Sequence, residues 1–344
     1  MPAISSDPTK AREFARAVVD RLRGAGHEAL WAGGCVRDEL LGRVPADYDV
    51  ATSARPEQVR ELFGRARTLA VGAAFGVITV IGPKGCGQVE VTTFRTDAAY
   101  TDGRHPAGVT FSTAREDAQR RDFTINGLFL DPLTGAVHDH VGGRSDLEAG
   151  VVRAIGVPAL RFGEDHLRML RAVRFAAGFG FVIEAATRAA IERFAERVAT
   201  VSPERIAAEL RAMLSRPGRG RAVELLVDTG LLAVVLPEIA PAADRADQWR
   251  PLVRQIEALD EPSLPAALAI LAGGSGGALP AIAARLRLSN REAESAVWLH
   301  AALGALHDTD PPPWQRPWSQ VQPWLAHRDV PVLADILRAR AATG

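Results

Sequence analysis

The sequence is poor in cysteine, in lysine and in long apolar runs, and each shortage excludes a class of protein. Its 344 residues include two cysteines, Cys35 and Cys86, which are too few for a disulfide scaffold and form no CxxC pair for zinc. The longest stretch without a charged residue, Pro262–Ala284, contains three prolines and a glycine-rich run, so it does not predict a membrane helix. The first residues lack the apolar core of a signal peptide. We therefore expect a cytoplasmic protein with no membrane partner.

The charges are balanced over the whole chain but not along it. Basic and acidic side chains each number 41, and nearly all of the basic ones are arginines, since only Lys10 and Lys84 are lysines. Residues 151–225 carry 13 basic and 8 acidic side chains. A local basic segment of this kind favours a polyanionic ligand, which the net charge of zero would not indicate.

Two patterns of hydrophobic spacing divide the chain. Up to about residue 145, short apolar segments alternate with amphipathic ones, which predicts strands and helices in one mixed head. From about Arg161 only helical spacing recurs. The sequence therefore predicts an α+β protein, with a small mixed sheet in the head and an all-helical remainder. The predicted elements of the head are helices over 7–23, Cys35–Leu41 and Pro56–Phe63 and strands over Glu28–Trp31, Asp47–Ala51, Gly76–Ile81 and Val89–Phe94.

The strongest local signal is a glycine pair followed by a pair of acids. Gly33 and Gly34 precede a predicted helix, and such a turn offers backbone N–H groups to a phosphate. Asp47 and Asp49 lie two residues apart in a predicted strand, so their carboxylates face the same side. Two carboxylates that lie this close to each other repel, so the arrangement costs free energy unless a cation binds between them. Mg²⁺ prefers carboxylates together with the phosphate oxygens of a substrate. Taken alone, the glycine pair is explained by a tight turn and the acid pair by a solvated strand edge. These explanations do not account for the two pairs together at this spacing.

Two further side chains extend this predicted site. Arg37 lies one turn into the helix that follows the glycines, where it is placed to give a phosphate a bidentate contact. Glu90 is flanked by Val89 and Val91, so it either faces solvent on an alternating strand or points to the metal site. In the second case, three acids on neighbouring strands would hold two metal ions for phosphoryl transfer.

A pair of arginines forms a second cluster. Arg120 and Arg121 are followed by Asp122 and an apolar segment, an arrangement that also occurs in solvated helix caps. The functional interpretation is that Arg121 binds a triphosphate or a ribose and that Asp122 orients the guanidinium.

Six segments occur in the order that is typical of one enzyme family. They are GGCVRD, DYDVATSARPEQV, EVTTFR, YTDGRHP, RRDFTIN and RFGEDHLRMLRAVRF. From about Ala32 to Leu214 the chain resembles the bacterial class of tRNA nucleotidyltransferases, namely the CCA-adding enzymes and the similar poly(A) polymerases. The resemblance implies a nucleotidyltransferase head at residues 1–145, a helical neck with a nucleotide-selecting helix at 146–215, and a helical RNA-binding body and tail at 216–344. It also implies that Asn126 binds the nucleotide together with Arg121 and Asp122.

The resemblance assigns the choice of nucleotide to Asp165 and Arg168. On one predicted helix these two residues are three apart and share a face, as an ordinary ion pair also would. A carboxylate acceptor beside an arginine donor matches C and A, which present an amine beside a ring-nitrogen acceptor, and mismatches U and G. Arg171 and Arg174 continue this face, and we expect them to meet the triphosphate or the RNA 3′ end unless they are merely solvated.

The implied activity is template-independent addition of C and A from CTP and ATP to the 3′ end of tRNA by two-metal nucleotidyl transfer, with Mg²⁺ as cofactor and no obligate protein partner. The alternatives are an A-adding enzyme, a poly(A) polymerase and a non-catalytic RNA-binding relic. The two intact acids argue against a relic. Arg95–Val109 resembles the complete flexible segment of the family, which argues against a variant that adds only CC.

Overall fold

The computed structural model describes residues 7–97, 109–307 and 317–343, and it has two compact units, Met1–Asp165 and His166–Gly344. Among these described residues the first unit mixes helices and strands, whereas the second is helical apart from one two-residue strand. The predicted α+β class is therefore confirmed. The YTDGRHP segment lies outside the described residues. The division into head, neck and body stays a prediction.

The first unit contains six α-helices and ten strands within the described residues. The helices are α1 (Pro8–Gly24), α2 (Gly34–Leu40), α3 (Pro56–Phe63), α4 (Ala114–Gln119), α5 (Gly143–Ala149) and α6 (Pro158–Glu164). The strands are β1 (Ala29–Ala32), β2 (Asp49–Thr52), β3 (Thr68–Leu69), β4 (Val77–Ile81), β5 (Gln88–Thr93), β6 (Arg95–Asp97), β7 (Val109–Phe111), β8 (Leu128–Leu130), β9 (Val137–Asp139) and β10 (Val151–Val152).

Seven of these strands form one mixed sheet in the order β3–β4–β5–β2–β1–β8–β9. Strands β2 and β5 pair in parallel, and the other neighbours are antiparallel. The helix α4 packs on this sheet through Ala114 and Ala118, which join Phe94 and Phe129 in a buried cluster. The mixed sheet that the sequence predicts is therefore present, and β2 lies at its centre.

Local sequence signals set several element boundaries. The helix α1 begins after Asp7, whose Oδ1 accepts a hydrogen bond from the backbone N–H of Thr9 at 3.0 Å, and Pro8 fits the first helical position because it needs no donor there. The helix α3 spans Pro56–Phe63, as predicted. The predicted strand Asp47–Ala51, in contrast, begins two residues later at Asp49.

The second unit contains twelve α-helices within its described residues. They are α7 (Leu167–Phe179), α8 (Ala185–Phe194), α9 (Pro203–Leu214), α10 (Arg219–Asp228), α11 (Leu231–Val235), α12 (Ala240–Ala243), α13 (Ala246–Glu257), α14 (Leu264–Leu271), α15 (Leu279–Arg285), α16 (Asn290–His307), α17 (Trp318–Leu325) and α18 (Val330–Thr343). The short strand β11 is Val182–Ile183. In the part of the chain that the structure describes, no helix is both long enough and apolar enough to cross a membrane.

Candidate functional site

One end of the central strands gathers most of the residues predicted for the site. Asp49, the first residue of β2, is the register partner of Glu90 on the parallel strand β5. Gly33 directly follows β1, and its N–H donates to the carbonyl oxygen of Leu128 at the start of β8, 3.1 Å away. Because β1 runs antiparallel to both β2 and β8, the end of β1 and the starts of the other two strands meet at one edge. The glycine turn and the acids are therefore neighbours.

The two aspartates flank a buried tyrosine. Asp47 is exposed, Tyr48 is buried, and Asp49 is half-buried. This alternation is typical of an extended segment, in which side chains two residues apart face the same side, although only Asp49 belongs to the strand. The predicted pairing of the two carboxylates therefore does not require both residues to lie within β2.

The electrostatics of Asp49 reflect a cluster of negative charge. Burial, followed by the negative charges of Asp47 and Glu90, raises the pKa of this aspartate to about 7. The guanidinium of Arg121 acts in the opposite direction. A carboxyl group that resists ionisation because other carboxylates face it is stabilised in its charged form when a cation binds between them. The cluster thus fits a positively charged ligand.

The acids lie at one edge of the sheet but do not by themselves form a complete set of metal ligands. Among the residues that the structure describes, no three His, Cys, Asp or Glu side chains are grouped closely enough to hold a metal ion by themselves. Glu90 is exposed on β5, and Asp49 is half-buried. Mg²⁺ keeps several waters and takes oxygens from substrate phosphates in addition to one or two carboxylates. The donors present fit a cation that is completed by a nucleotide.

The glycine turn is shaped by a positive φ and by a close arginine. Gly33 has a φ of 73°, a conformation that L residues rarely adopt. A Cβ atom at this position would lie 2.8 Å from Nη1 of Arg121. A side chain at residue 33 would therefore strain the backbone and push the guanidinium away from the turn.

The partner of Arg121 is Asp117 rather than Asp122. Both Nε and Nη2 of Arg121 donate to Oδ2 of Asp117, at 3.1 and 2.9 Å, and the guanidinium lies 4.9 Å from the ring centroid of Phe129. The Asp122 carboxylate instead accepts hydrogen bonds from the backbone N–H of Phe123 and from Nδ2 of Asn126. The prediction that Asp122 orients Arg121 is wrong, because the helical turn of α4 brings residue 117 to the guanidinium.

Asp117 is a residue that the sequence interpretation missed. It is fully buried, and its other oxygen, Oδ1, accepts from Arg120 at 2.7 Å. Although burial raises the pKa of Asp117, the charges of Arg121 and Arg120 outweigh that effect and lower it, so the carboxylate is ionised. Spacings of three and four residues to the two arginines were the available signal, since such residues are neighbours on a helix.

Arg37 takes part in a chain of polar contacts, of which the one with Asn126 is buried. Its Nη1 donates to Oδ1 of Asn126 at 2.7 Å, and Nδ2 of Asn126 donates to Oδ1 of Asp122 at 3.0 Å. Its Nε donates to Oδ1 of Asp38 at 2.9 Å. These contacts join α2 to the segment before β8, at the same edge as the acids. The predicted contact of Arg37 with a phosphate remains a prediction.

In the second unit, two of the predicted arginines share a carboxylate. Nε of Arg174 lies 2.6 Å from Oε2 of Glu209, and Nη1 of Arg171 lies 3.7 Å from its Oε1. Both guanidinium groups also lie over the ring of Phe175. Glu209, on α9, is mostly buried and was not predicted. The arginines of this face are therefore held by α9 and are not merely solvated.

The predicted single helix for Asp165 and Arg168 is wrong. The helix α6 ends at Glu164, Asp165 is extended with φ −150° and ψ 106°, and α7 begins at Leu167. Gly163 lowers helix propensity near this point, and aspartate favours helix ends over helix interiors. Arg168 lies in the first turn of α7 and is buried. The argument that these side chains share a helix face no longer holds, and their role rests on the resemblance.

Two domain families match the chain. The poly A polymerase head domain matches residues 29–153, and the probable RNA- and SrmB-binding site of polymerase A matches residues 180–243. The first match contains Gly33, Asp49, Glu90 and Arg121, the residues that the sheet brings to one edge.

Several similar proteins are described as CCA-adding enzymes. The CCA-adding enzyme of Anoxybacillus flavithermus is 43% identical over 227 residues, which are 66% of this chain and 56% of that protein. That of Lactiplantibacillus plantarum is 42% identical over 254 residues, which are 74% and 59% of the two chains. The chain thus spans little more than half of the length of these curated relatives. The crystal structure of the Bacillus stearothermophilus CCA-adding enzyme in complex with CTP is 31% identical, with a TM-score of 0.76, and the match covers 96% of this chain and 82% of that one.

Proposed function

Because the chain belongs to the family of the CCA-adding enzymes, we propose that it is a nucleotidyltransferase that adds C and A from CTP and ATP to the 3′ end of tRNA. The observation that carries the proposal is the placement of Asp49, Glu90 and Arg121 at the edge of the sheet where the Gly33 turn lies. We further propose that the protein acts in the cytoplasm and needs no protein partner for this reaction.

The reaction joins the 3′-oxygen of the RNA to the α-phosphorus of the nucleotide and breaks the bond between the α- and β-phosphates. Pyrophosphate leaves, and the proton of the 3′-hydroxyl passes to solvent. In this proposal Arg121 binds the triphosphate, and the turn of Gly33 and Gly34 leaves room for its close approach. Asp122 and Asn126 contact the nucleotide, and Arg171 and Arg174 contact the triphosphate or the RNA end. Catalysis is then mainly positioning and charge neutralisation.

The proposed cofactor is a divalent cation, namely Mg²⁺. Asp47 and Asp49 are its protein ligands, and Glu90 adds negative charge on the neighbouring strand. When bound, such an ion supplies neutralisation of the negative charge that develops on the transferred phosphate. Burial, and then the charges of Asp47 and Glu90, raise the pKa of Asp49, and this supports the assignment because a bound cation stabilises the charged form of the carboxylate.

Nucleotide choice is proposed to depend on Asp165 and Arg168. Asp165→Asn is expected to accept UTP and GTP about tenfold to a hundredfold better relative to CTP and ATP, because a mismatched buried hydrogen-bonding group costs about 1–3 kcal/mol. The amide of the variant donates to the carbonyl that the carboxylate repels. The measurement is incorporation of each of the four nucleotides, supplied separately, into a tRNA that lacks CCA.

The matched control for this variant is Glu164→Gln. Glu164 precedes Asp165 and accepts from Arg161 at 2.9 Å, so its substitution removes a neighbouring charge without touching the proposed acceptor. We expect the control to keep its preference for C and A. Unaltered rejection of UTP and GTP by Asp165→Asn would contradict base selection by this residue, but not the nucleotidyltransferase activity.

The activity itself is tested with three tRNA transcripts, one that lacks CCA, one that ends in CC and one that is complete. We expect the first to gain CCA only when CTP and ATP are both present, the second to gain one A, and the third to gain nothing. Addition of A alone to the second transcript, with no C added to the first, indicates an A-adding enzyme. Long A tracts on all three indicate a poly(A) polymerase. No incorporation in the presence of Mg²⁺ contradicts the proposed function.

A further inference from the structure

We infer that Tyr48, Glu39 and Arg12 form a positioning network that holds the two acids of the sheet edge in place for a cation. The inference deepens the proposed function, because it rests on the assignment of Asp47 and Asp49 as metal ligands. Glu39 and Arg12 lie outside the motifs that predicted the site, and Tyr48 belongs to one of them only through its position between the two acids.

The side chain of Tyr48 is held by contacts on the side of its segment that faces away from the two acids. The residue is 5% exposed, and its ring centroid lies 4.7 Å from that of Trp31 on β1. Its hydroxyl donates to Oε1 of Glu39 on α2 at 2.8 Å. In an extended segment the middle side chain points away from its two neighbours, so it can be held without obstructing either carboxylate. Tyr48 is therefore the one side chain between the acids through which the fold can fix both.

Glu39 and Arg12 close the network. Glu39 accepts two hydrogen bonds from Arg12 on α1, from Nε at 2.7 Å and from Nη2 at 3.2 Å. The guanidinium lies 5.3 Å from the ring centroid of Trp31, the residue against which Tyr48 packs. Although burial raises the pKa of Glu39, the hydrogen bonds from Arg12 and Tyr48 outweigh it and lower that pKa. The acceptor is therefore charged, and helices α1 and α2 and strand β1 jointly hold Tyr48.

The acids need such a support because their charges repel. Asp47 lies before the first residue of β2, so no ladder hydrogen bond of the sheet fixes it. If the segment were free to move, it would relieve the repulsion by separating the two carboxylates. The carboxylates would then no longer be placed to bind one cation. Contacts that orient metal ligands without touching the metal change metal affinity or activity by about tenfold to a hundredfold when they are removed. The hydroxyl of Tyr48 is expected to have an effect of this size.

The test measures Mn²⁺ binding by electron paramagnetic resonance in the 344-residue protein, without and with CTP, together with nucleotide incorporation. Tyr48→Phe keeps the ring against Trp31 and removes only the hydroxyl. We expect it to bind Mn²⁺ about tenfold more weakly and to need correspondingly more Mg²⁺ for activity. The KM for tRNA is expected to stay unchanged. A purely structural role would instead lower the melting temperature and leave the metal dependence as it is.

Three further variants locate the effect in the network. Arg12→Gln removes the support of Glu39, and we expect weaker Mn²⁺ binding, as in Tyr48→Phe. Glu39→Gln keeps an acceptor for Tyr48, and it should bind Mn²⁺ more tightly than Glu39→Ala. The matched control is Arg23→Gln, since Arg23 also lies on α1 and pairs with a carboxylate of the same unit, Asp131, at 2.9 Å. This control should bind Mn²⁺ as the wild type does.

The possible outcomes separate this inference from the proposed function. Wild-type Mn²⁺ affinity in both Tyr48→Phe and Arg12→Gln overturns the network, as does an equal loss in Arg23→Gln, which would indicate a general loosening of α1. If the wild-type protein binds no Mn²⁺, the metal assignment fails and the network fails with it. If it binds Mn²⁺ and the variants weaken that binding, yet no C or A is added to tRNA, the network stands and the proposed function fails.

Discussion

Asp49→Ala is expected to lose nucleotide incorporation by orders of magnitude while the protein stays folded and binds tRNA. The substitution removes a proposed metal ligand from the centre of the sheet edge, and that ligand is needed only when charge develops on the transferred phosphate. It also removes one of three repelling carboxylates, so the melting temperature should not fall. The measurement is single-turnover incorporation of CTP with tRNA binding followed in parallel. Retention of more than a small fraction of wild-type activity would contradict the metal assignment.

The same residue predicts how stability depends on pH in the metal-free protein. Its pKa is raised from 3.8 to about 7 in the folded state. The folded state therefore holds a proton on Asp49 that the unfolded state has lost, and the free energy of unfolding falls as the pH rises between these two values. Asp49→Asn removes this effect, so the difference in melting temperature between variant and wild type should grow in favour of the variant from pH 4 to pH 7. Mg²⁺ should stabilise the wild type more than the variant.

Arg121→Ala is the second substitution with a large expected effect. The guanidinium is oriented by Asp117, lies against the Gly33 turn and acts on Asp49, which supports the proposal that it binds the triphosphate. We expect kcat/KM for CTP and ATP to fall about a hundredfold or more, as is typical when a preorganised donor to a developing charge is removed. Arg121→Lys should recover little of this loss, because an ammonium group cannot replace the planar fork that Asp117 holds.

The neighbouring arginine provides the control for this prediction. Arg120 binds the same carboxylate through Oδ1 of Asp117, so Arg120→Ala disturbs the same buried pair. The Gly33 turn, however, approaches Nη1 of Arg121. We therefore expect Arg120→Ala to lower the melting temperature about as much as Arg121→Ala while keeping most of the activity. Equal losses of activity in both variants would show that the pair stabilises the fold and that Arg121 has no special role at the turn.

Local rules allowed much of the site to be predicted from the sequence. Asp7 and Pro8 set the start of α1, the glycine pair gave the turn before α2, and the two-residue spacing of Asp47 and Asp49 predicts that their carboxylates face the same side. Each of these inferences depends on residues within four positions of one another, over which backbone geometry is nearly fixed. The same rules failed where a helix was taken to continue through Asp165, since propensity alone does not locate a helix end.

Contacts between distant parts of the chain were decided by the tertiary structure. The alternating apolar and polar residues around Glu90 did not decide whether this side chain faces solvent or the site. Only the pairing of β5 with β2 placed this acid beside Asp49. Arg37 and Asn126 are 89 positions apart, and Arg12 and Glu39 are 27 apart, so no local spacing predicts either contact. The sequence determined which chemical groups are present and how near neighbours are oriented. Strand register and helix packing decided which groups meet, because those depend on burying apolar surface over the whole unit.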